Sequence, residues 1–145
     1  MWVSLLSALQ KIMNRFYVLV GSNIDPQKNV KKGLQYLEKS NALVLEEVSS
    51  EFISKPVGME GSDFLNLVLR CSTNLEFLDM VGNLKEIETL CGRKRDPDNK
   101  FTSRTLDLDI ICWNEFEGMI GSYKLPDPDI EKYDYIKVPL SEVKI

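Results

Sequence analysis

The 145-residue chain contains no histidine. That absence removes His-dependent triads, HExxH zinc sites and imidazole acid–base pairs, because each needs the ring. Side-chain chemistry must therefore use carboxylates, cations, backbone groups or a metal. Cysteine is scarce as well. Cys71, Cys91 and Cys112 are odd in number and show no close ligand spacing, which argues against a disulfide scaffold and reads as buried reduced thiols in a cytosolic protein. No apolar run approaches the ~20 residues that a membrane helix needs. The net charge of −4 argues against a general attraction to nucleic acid or acidic membranes, so an anionic ligand would need a local basic cluster. There is no internal repeat, linker or low-complexity stretch. The start, MWVSLLSALQKI, is apolar, but it lacks a basic leader and is broken by serines, so it does not read as a signal peptide. With Met13 as an alternative start, residues 1–12 are either a short added helix or a misassigned start, and residues 13–145 make the domain. At 43% hydrophobic and 28% charged residues, the composition is that of one soluble domain with a real core.

The chain alternates between strand and helix patterns. "FYVLVGSN" (16–23) is rich in β-branched and aromatic residues and stops at Gly-Ser-Asn, the mark of a buried strand and a turn. Asp25 precedes Pro26 as an N-cap precedes a first helical residue, and Val30, Leu34 and Leu37 follow at helical spacing up to Ser40-Asn41. "ALVLEEVSSEFIS" (42–54) reads as a strand with an irregularity at Ser49-Ser50, "KPVGMEGSD" as a Pro/Gly loop and "FLNLVLRCST" (64–73) as the next strand. Thr73 and Glu76 have the spacing of a capping box, and Leu78, Val81, Leu84, Ile87 and Cys91 repeat at three or four, with Gly92 placed at C′. "TLDLDIICW" is a further strand, and the remainder is loop-rich until "YIKVPL" (135–140). The order βαββαβ predicts an α+β, ferredoxin-like core, an antiparallel sheet with two helices on one face.

Chemistry gathers in three segments. In "SRTLDLDI" (103–110), Leu106, Leu108 and Ile110 would face the helices while Asp107 and Asp109 face the other side of the sheet. Either this side is simply wet, or the two carboxylates share a cation, and oxygen-only ligands with room for water suit Mg²⁺ completed by phosphates. Just upstream, "GRKRDPDNKFTSR" concentrates Arg93, Lys94, Arg95, Lys100 and Arg104 in an acidic chain. It is either a solvated charged loop or a holder of polyphosphate beside the metal. "VGSN" lacks the GxxxxGK[ST] pattern of a P-loop, and its glycine reads as a strand-end turn. In "KPVGMEGSDFLN", Phe64 and Asn66 are two apart and share a side; an aromatic plus an amide suits a flat heterocycle, and equally a core Phe with a strand-end Asn.

Taken together, "YVLVGSN", "KPVG" with "DFLN", "GRKR", "RTLDLDI" and "LPDPDI…VPL" resemble the 6-hydroxymethyl-7,8-dihydropterin pyrophosphokinase family in the same order along nearly the whole chain. The resemblance implies a ferredoxin-like core and an enzyme of folate biosynthesis, expected to be cytoplasmic and monomeric, with no nucleic-acid or membrane partner. It would transfer diphosphate from ATP, held with two Mg²⁺ ions, to the hydroxymethyl oxygen of the pterin, releasing AMP. By position, Asp107 and Asp109 would hold magnesium and Arg93, Arg95 and Arg104 the phosphates. Glu88, Phe101 and Ile110 would line the ATP site. Asn66 would hydrogen-bond the pterin, Phe64 and Tyr135 would sandwich it, and Ser54, Pro56, Val57 and Gly58 would complete its edge. The chain departs from the family in having Asp127 where His is usual, Phe101 where Trp is usual, and a basic loop one residue longer. Two alternatives follow: a non-catalytic pterin- or nucleotide-binding relative, or another two-metal phosphoryl or nucleotidyl transferase.

Overall fold

A computed structural model describes residues 13–58, 60–93 and 105–145. Five strands, β1 (Asn14–Ser22), β2 (Val44–Val48), β3 (Phe52–Ser54), β4 (Phe64–Thr73) and β5 (Asp107–Trp113), make one antiparallel sheet, with α1 (Pro26–Lys39) after β1 and α2 (Phe77–Leu90) after β4. The order across the sheet is β2-β4-β1-β5, and β3 pairs with the other end of β4. The expected α+β core is thus present. The break between β2 and β3 falls at Ser49-Ser50, as the sequence suggests. There the Ser49 N–H donates to the Val68 carbonyl and the Ser49 hydroxyl accepts the Val68 N–H, each at 2.9 Å, so one residue satisfies both groups while the strand bends.

Strand alternation divides the sheet into two faces. Phe16, Val18 and Val20 of β1, Leu65, Leu67 and Leu69 of β4, and Leu106, Leu108 and Ile110 pack against Val30 and Leu37 of α1 and Met80, Leu84 and Ile87 of α2. At the far end of β5 the register slips: Val18 pairs with Ile110 but Tyr17 with Cys112. Ile111 is the extra residue of a bulge. Ile111 and Cys112 both turn to the second face, and Trp113 returns to the main core with its ring 5.3 Å from those of Phe16 and Phe77.

The second face is not bare. The "YIKVPL" segment lies in a third helix, α3 (Asp134–Val143), so the expectation of two helices on one face falls short by one on the other. Ile136, Leu140 and Val143 of α3 cover Tyr17, Val68, Ile111 and Cys112. Polar ties hold the helix down: Arg70 Nη1 donates to the Val143 carbonyl at 2.7 Å, and the Glu142 carboxylate accepts the Ser50 N–H at 2.9 Å and the Ser50 hydroxyl at 2.7 Å. Between β5 and α3 stand a small hairpin, β6 (Gly118–Ile120) and β7 (Tyr123–Leu125), and a 3-10 turn at Pro128–Ile130. The Tyr123 ring seats the hairpin on Phe77, 5.3 Å away.

Two expected helix caps are absent. Asp25 stands at the start of α1 in the left-handed region (φ 44°) and its side chain makes no capping bond. Thr73 is the last residue of β4; its hydroxyl donates to the Ala42 carbonyl at 2.6 Å and accepts the Leu75 N–H at 3.1 Å, so it is not paired with Glu76 in a capping box. The C-terminal end of α2 follows expectation. Gly92 adopts φ +83°, its N–H reaches the Thr89 carbonyl at 3.0 Å, and the Arg93 N–H reaches the Glu88 carbonyl at 3.0 Å, a Schellman closure. Gly92→Ala forces a Cβ into that left-handed turn and is expected to cost about 1–2 kcal/mol. The urea midpoint should fall with the slope unchanged; an unchanged midpoint would contradict this account of the turn.

Candidate active site

The register of the sheet assembles the site. Asn66 of β4, Gly21 of β1 and Asp107 of β5 lie side by side in one row, and Val68, Leu19 and Asp109 in the next. These residues share the second face; Val68 lies under α3, and the Asn66–Gly21–Asp107 row lies at the end beyond it. Gly21, read from sequence as a strand-end turn, is inside β1. Over this end sits a cavity of about 380 Å³, lined on the sheet side by Gly21, Leu19, Asn66 and Phe64, and at the rim by Ser54, Lys55 and Val57. The start of α3 and the turn before it add Tyr133, Tyr135, Asp127 and Asp129.

A second cavity of about 420 Å³ lies along the outer edge of β5, against α2. Lys85, Glu88, Arg93, Leu108, Ile110 and Tyr123 line it. Asp107, Asp109 and Asp127 line both cavities, so the two spaces meet at a seam of carboxylates.

Several sequence expectations acquire geometry here. Asn66 is 3% exposed. Its Nδ2 donates to the Phe52 carbonyl at 3.0 Å and the Ser54 hydroxyl at 2.8 Å. Phe64 and Tyr135 line the same cavity, and the Tyr135 ring stacks on Tyr133 with centroids 5.2 Å apart. Burial, with the nearby carboxylates of Asp129, Asp127 and Asp109 adding to it, pushes the Tyr135 phenol up to about 12. Ser54 and Val57 are at the rim, joined by Lys55 rather than by Pro56 or Gly58. Arg95, Phe101 and Arg104, with Lys94 and Lys100, lie outside the described residues, as do residues 1–12.

The charged groups that flank the seam are tied down. Glu88 is 1% exposed, and its carboxylate accepts the Leu108 N–H at 2.7 Å. That amide is on the open side of the edge strand, where a buried donor would otherwise be costly. Arg93, delivered by the Schellman turn, donates through Nη1 to Asp107 at 3.1 Å and to the Leu106 carbonyl at 3.2 Å. Its side chain is 10% exposed, and its buried Nε has no hydrogen-bond partner. Asp127 Oδ1 accepts the Asp129 N–H at 2.9 Å. The three cysteines are buried and unpaired, and burial pushes the Cys71 thiol up to about 12, which leaves it inert as a nucleophile.

Sequence reasoning missed Tyr133, Lys55, Lys85 and Tyr123. Only Tyr133 carried a readable signal, as an aromatic two residues from Tyr135 beside the "LPDP" turn.

Two cavities of different chemistry that share a carboxylate seam are an arrangement that suits a transferase with two substrates. The family model of 7,8-dihydro-6-hydroxymethylpterin-pyrophosphokinase matches residues 17–145, and the chain belongs to that family. It is 32% identical over 134 residues to the 2-amino-4-hydroxy-6-hydroxymethyldihydropteridine pyrophosphokinase of Pseudomonas aeruginosa, covering 91% of this chain and 82% of that one. It is 31% identical over 134 residues to the enzyme of the same name from Aquifex aeolicus, covering 91% and 81%. Against the bifunctional protein FolKE of Lactococcus lactis the identity is 30% over 133 residues, which is 90% of this chain and 38% of that protein.

Burial raises the Asp127 carboxyl above its ordinary value, the Asp129 N–H partly opposing. A carboxyl whose folded value exceeds its unfolded one binds more protons in the native state. Its contribution therefore turns unfavourable as pH rises from the unfolded value through the raised folded one. Asp127→Asn keeps an acceptor for the Asp129 N–H and removes the charge. The variant is expected to melt higher than the parent at neutral pH, with the gain vanishing below the usual carboxylate range; an equal shift at both pH values would count against a buried-charge penalty.

Proposed function

We propose that the protein transfers a diphosphoryl group from ATP to 6-hydroxymethyl-7,8-dihydropterin, giving the pterin diphosphate and AMP in folate biosynthesis. The carrying observation is that two cavities, one lined by Phe64, Tyr135 and Asn66 and the other by Lys85 and Arg93, share Asp107, Asp109 and Asp127. In the first, Phe64 and Tyr135 offer ring faces and Asn66 an amide edge, which suits a pterin. In the second, the Leu108 N–H points outward to Glu88. The strand repeat turns the backbone of Ile110 the same way, where it can serve the edge of an adenine. Arg93 is the described cation nearest the seam, and its unpartnered Nε is a donor that a phosphate oxygen would satisfy. By the family resemblance alone, Arg95 and Arg104 would be further phosphate ligands and Phe101 a residue of the nucleotide site.

Mg²⁺ fits the donor set. Among the described residues no three acidic, Cys or His side chains converge into a metal cage, but Mg²⁺ is commonly held by one or two carboxylates with phosphate and water supplying the rest. Asp107 and Asp109 would hold it; bound there, it would neutralise and orient the polyphosphate. The residues do the positioning. The aromatic pair and Asn66 fix the ring so that its hydroxymethyl oxygen enters the seam. Arg93 can pass from Asp107 to the phosphates, and the buried walls exclude water that would otherwise compete as acceptor. The oxygen–phosphorus bond forms at the β-phosphorus as the bond to AMP breaks, and the hydroxyl proton leaves to solvent or to a seam carboxylate.

No described helix is long and apolar enough to cross a membrane, and the unpaired thiols suit a reducing cytoplasm. Asp127→Ala is not needed to test the chemistry; Asp107→Ala and Asp109→Ala are. Each is expected to cut magnesium-dependent AMP formation by on the order of a hundredfold or more, read by chromatography of purified protein with ATP and the hydroxymethyldihydropterin. Undiminished AMP release in both variants would sink the reading. Tight binding of both substrates with no AMP from the parent would instead favour the non-catalytic alternative, for which Asp127 at the seam is the motivating observation.

A further inference from the structure

Gly21 is the one position in the Asn66–Gly21–Asp107 row that carries no side chain. Its backbone does not need glycine, since it is absent from the residues with positive φ, and glycine within a strand weakens it. Nor does the packing of the protein need it. A Cβ built on Gly21 would meet Asn66 Oδ1 at 3.6 Å and Phe64 Cδ1 at 3.7 Å, both ordinary contacts. Gly33 shows the contrast: a Cβ there would lie 2.7 Å from Leu106 Cδ2, so close packing of α1 on the sheet accounts for that glycine.

The space kept open at Gly21 is therefore bounded by two groups that face the first cavity. Because Asn66 Nδ2 is engaged with Phe52 and Ser54, Oδ1 is the amide atom left for a ligand, and it is the atom nearest the missing Cβ. We propose that Gly21 determines which rings the first cavity accepts. Its bare Cα lets the edge of a planar heterocycle descend onto β1 until a ring N–H reaches Asn66 Oδ1. A methyl at that point would hold the ring off and deny Asn66 Oδ1 its ring N–H. The accepted class is flat, N–H-bearing rings with no substituent on the edge turned to the sheet. This rests on the reading of the first cavity as the pterin site.

The test compares the parent, Gly21→Ala and Asn66→Ala, each checked by thermal melting, for binding of 6-hydroxymethylpterin and of a non-hydrolysable ATP analogue with Mg²⁺ by titration calorimetry. Gly21→Ala is expected to melt no lower than the parent, to bind the nucleotide as the parent does, and to bind the pterin on the order of 10- to 100-fold more weakly. Parental pterin affinity in Gly21→Ala, with Asn66→Ala impaired, overturns the role of Gly21 alone. Parental affinity in both variants overturns the assignment of the cavity itself. A Gly21→Ala protein that melts well below the parent, or loses both ligands, shows that the glycine serves the fold and also overturns the proposal.

Discussion

A β-strand sends alternate side chains to opposite sides, and the whole arrangement of this protein follows from that constraint acting on three adjacent strands at once. β4, β1 and β5 each turn one row inward to α1 and α2 and the other row to the second face. Because the strands are paired without slippage at this end, the outward rows coincide, and an amide, an empty place and a carboxylate stand in line. The apolar half of "LDLDI" holds the strand in place so that the acidic half is held in place with it. The bulge at Ile111 confines this polarity: beyond it, the second face turns apolar and belongs to α3.

The seam sets an electrostatic problem. Asp107, Asp109 and Asp127 border the same spaces, and carboxylates brought together resist ionisation unless they are compensated. Compensation is local. Arg93 serves Asp107 across 3.1 Å, and the Asp129 N–H serves Asp127. Glu88 lines the second cavity with its carboxylate bound to the backbone of β5. A polyphosphate with its cation would reorganise the same charges, the cation taking the carboxylates and the phosphates taking the guanidinium.

How much of this was legible depended on the range of the interactions. β1, β4 and β5 were readable because their patterning is local and unbroken, and α2 because its apolar spacing ends in a glycine at the right place. The capping box failed because Thr73 finds the Ala42 carbonyl, a partner 31 residues away that only the folded sheet supplies. α3 was obscured by Pro139 inside it, although Ile136, Leu140 and Val143 recur at helical spacing. In the site, Asp107, Asp109, Phe64 and Asn66 announced themselves as polar or aromatic residues breaking an apolar run. Tyr133, Lys55, Lys85 and Tyr123 did not, since a surface loop or helix face offers no expectation for them to break. Gly21 was hidden in another way: its meaning is the space beside it, and that space exists only when two other strands are set against β1.

The row from Asn66 to Asp107 spans two inter-strand steps, roughly 9.5 Å between backbones at ~4.8 Å each. Hydrogen-bonded strands do not stretch, so this separation is a fixed length built into the sheet. The domain thereby carries a ruler between the Asn66 amide and the Asp107 carboxylate. Loops around it can change what enters at either end, but only a change of register could alter the length that a joining molecule must match.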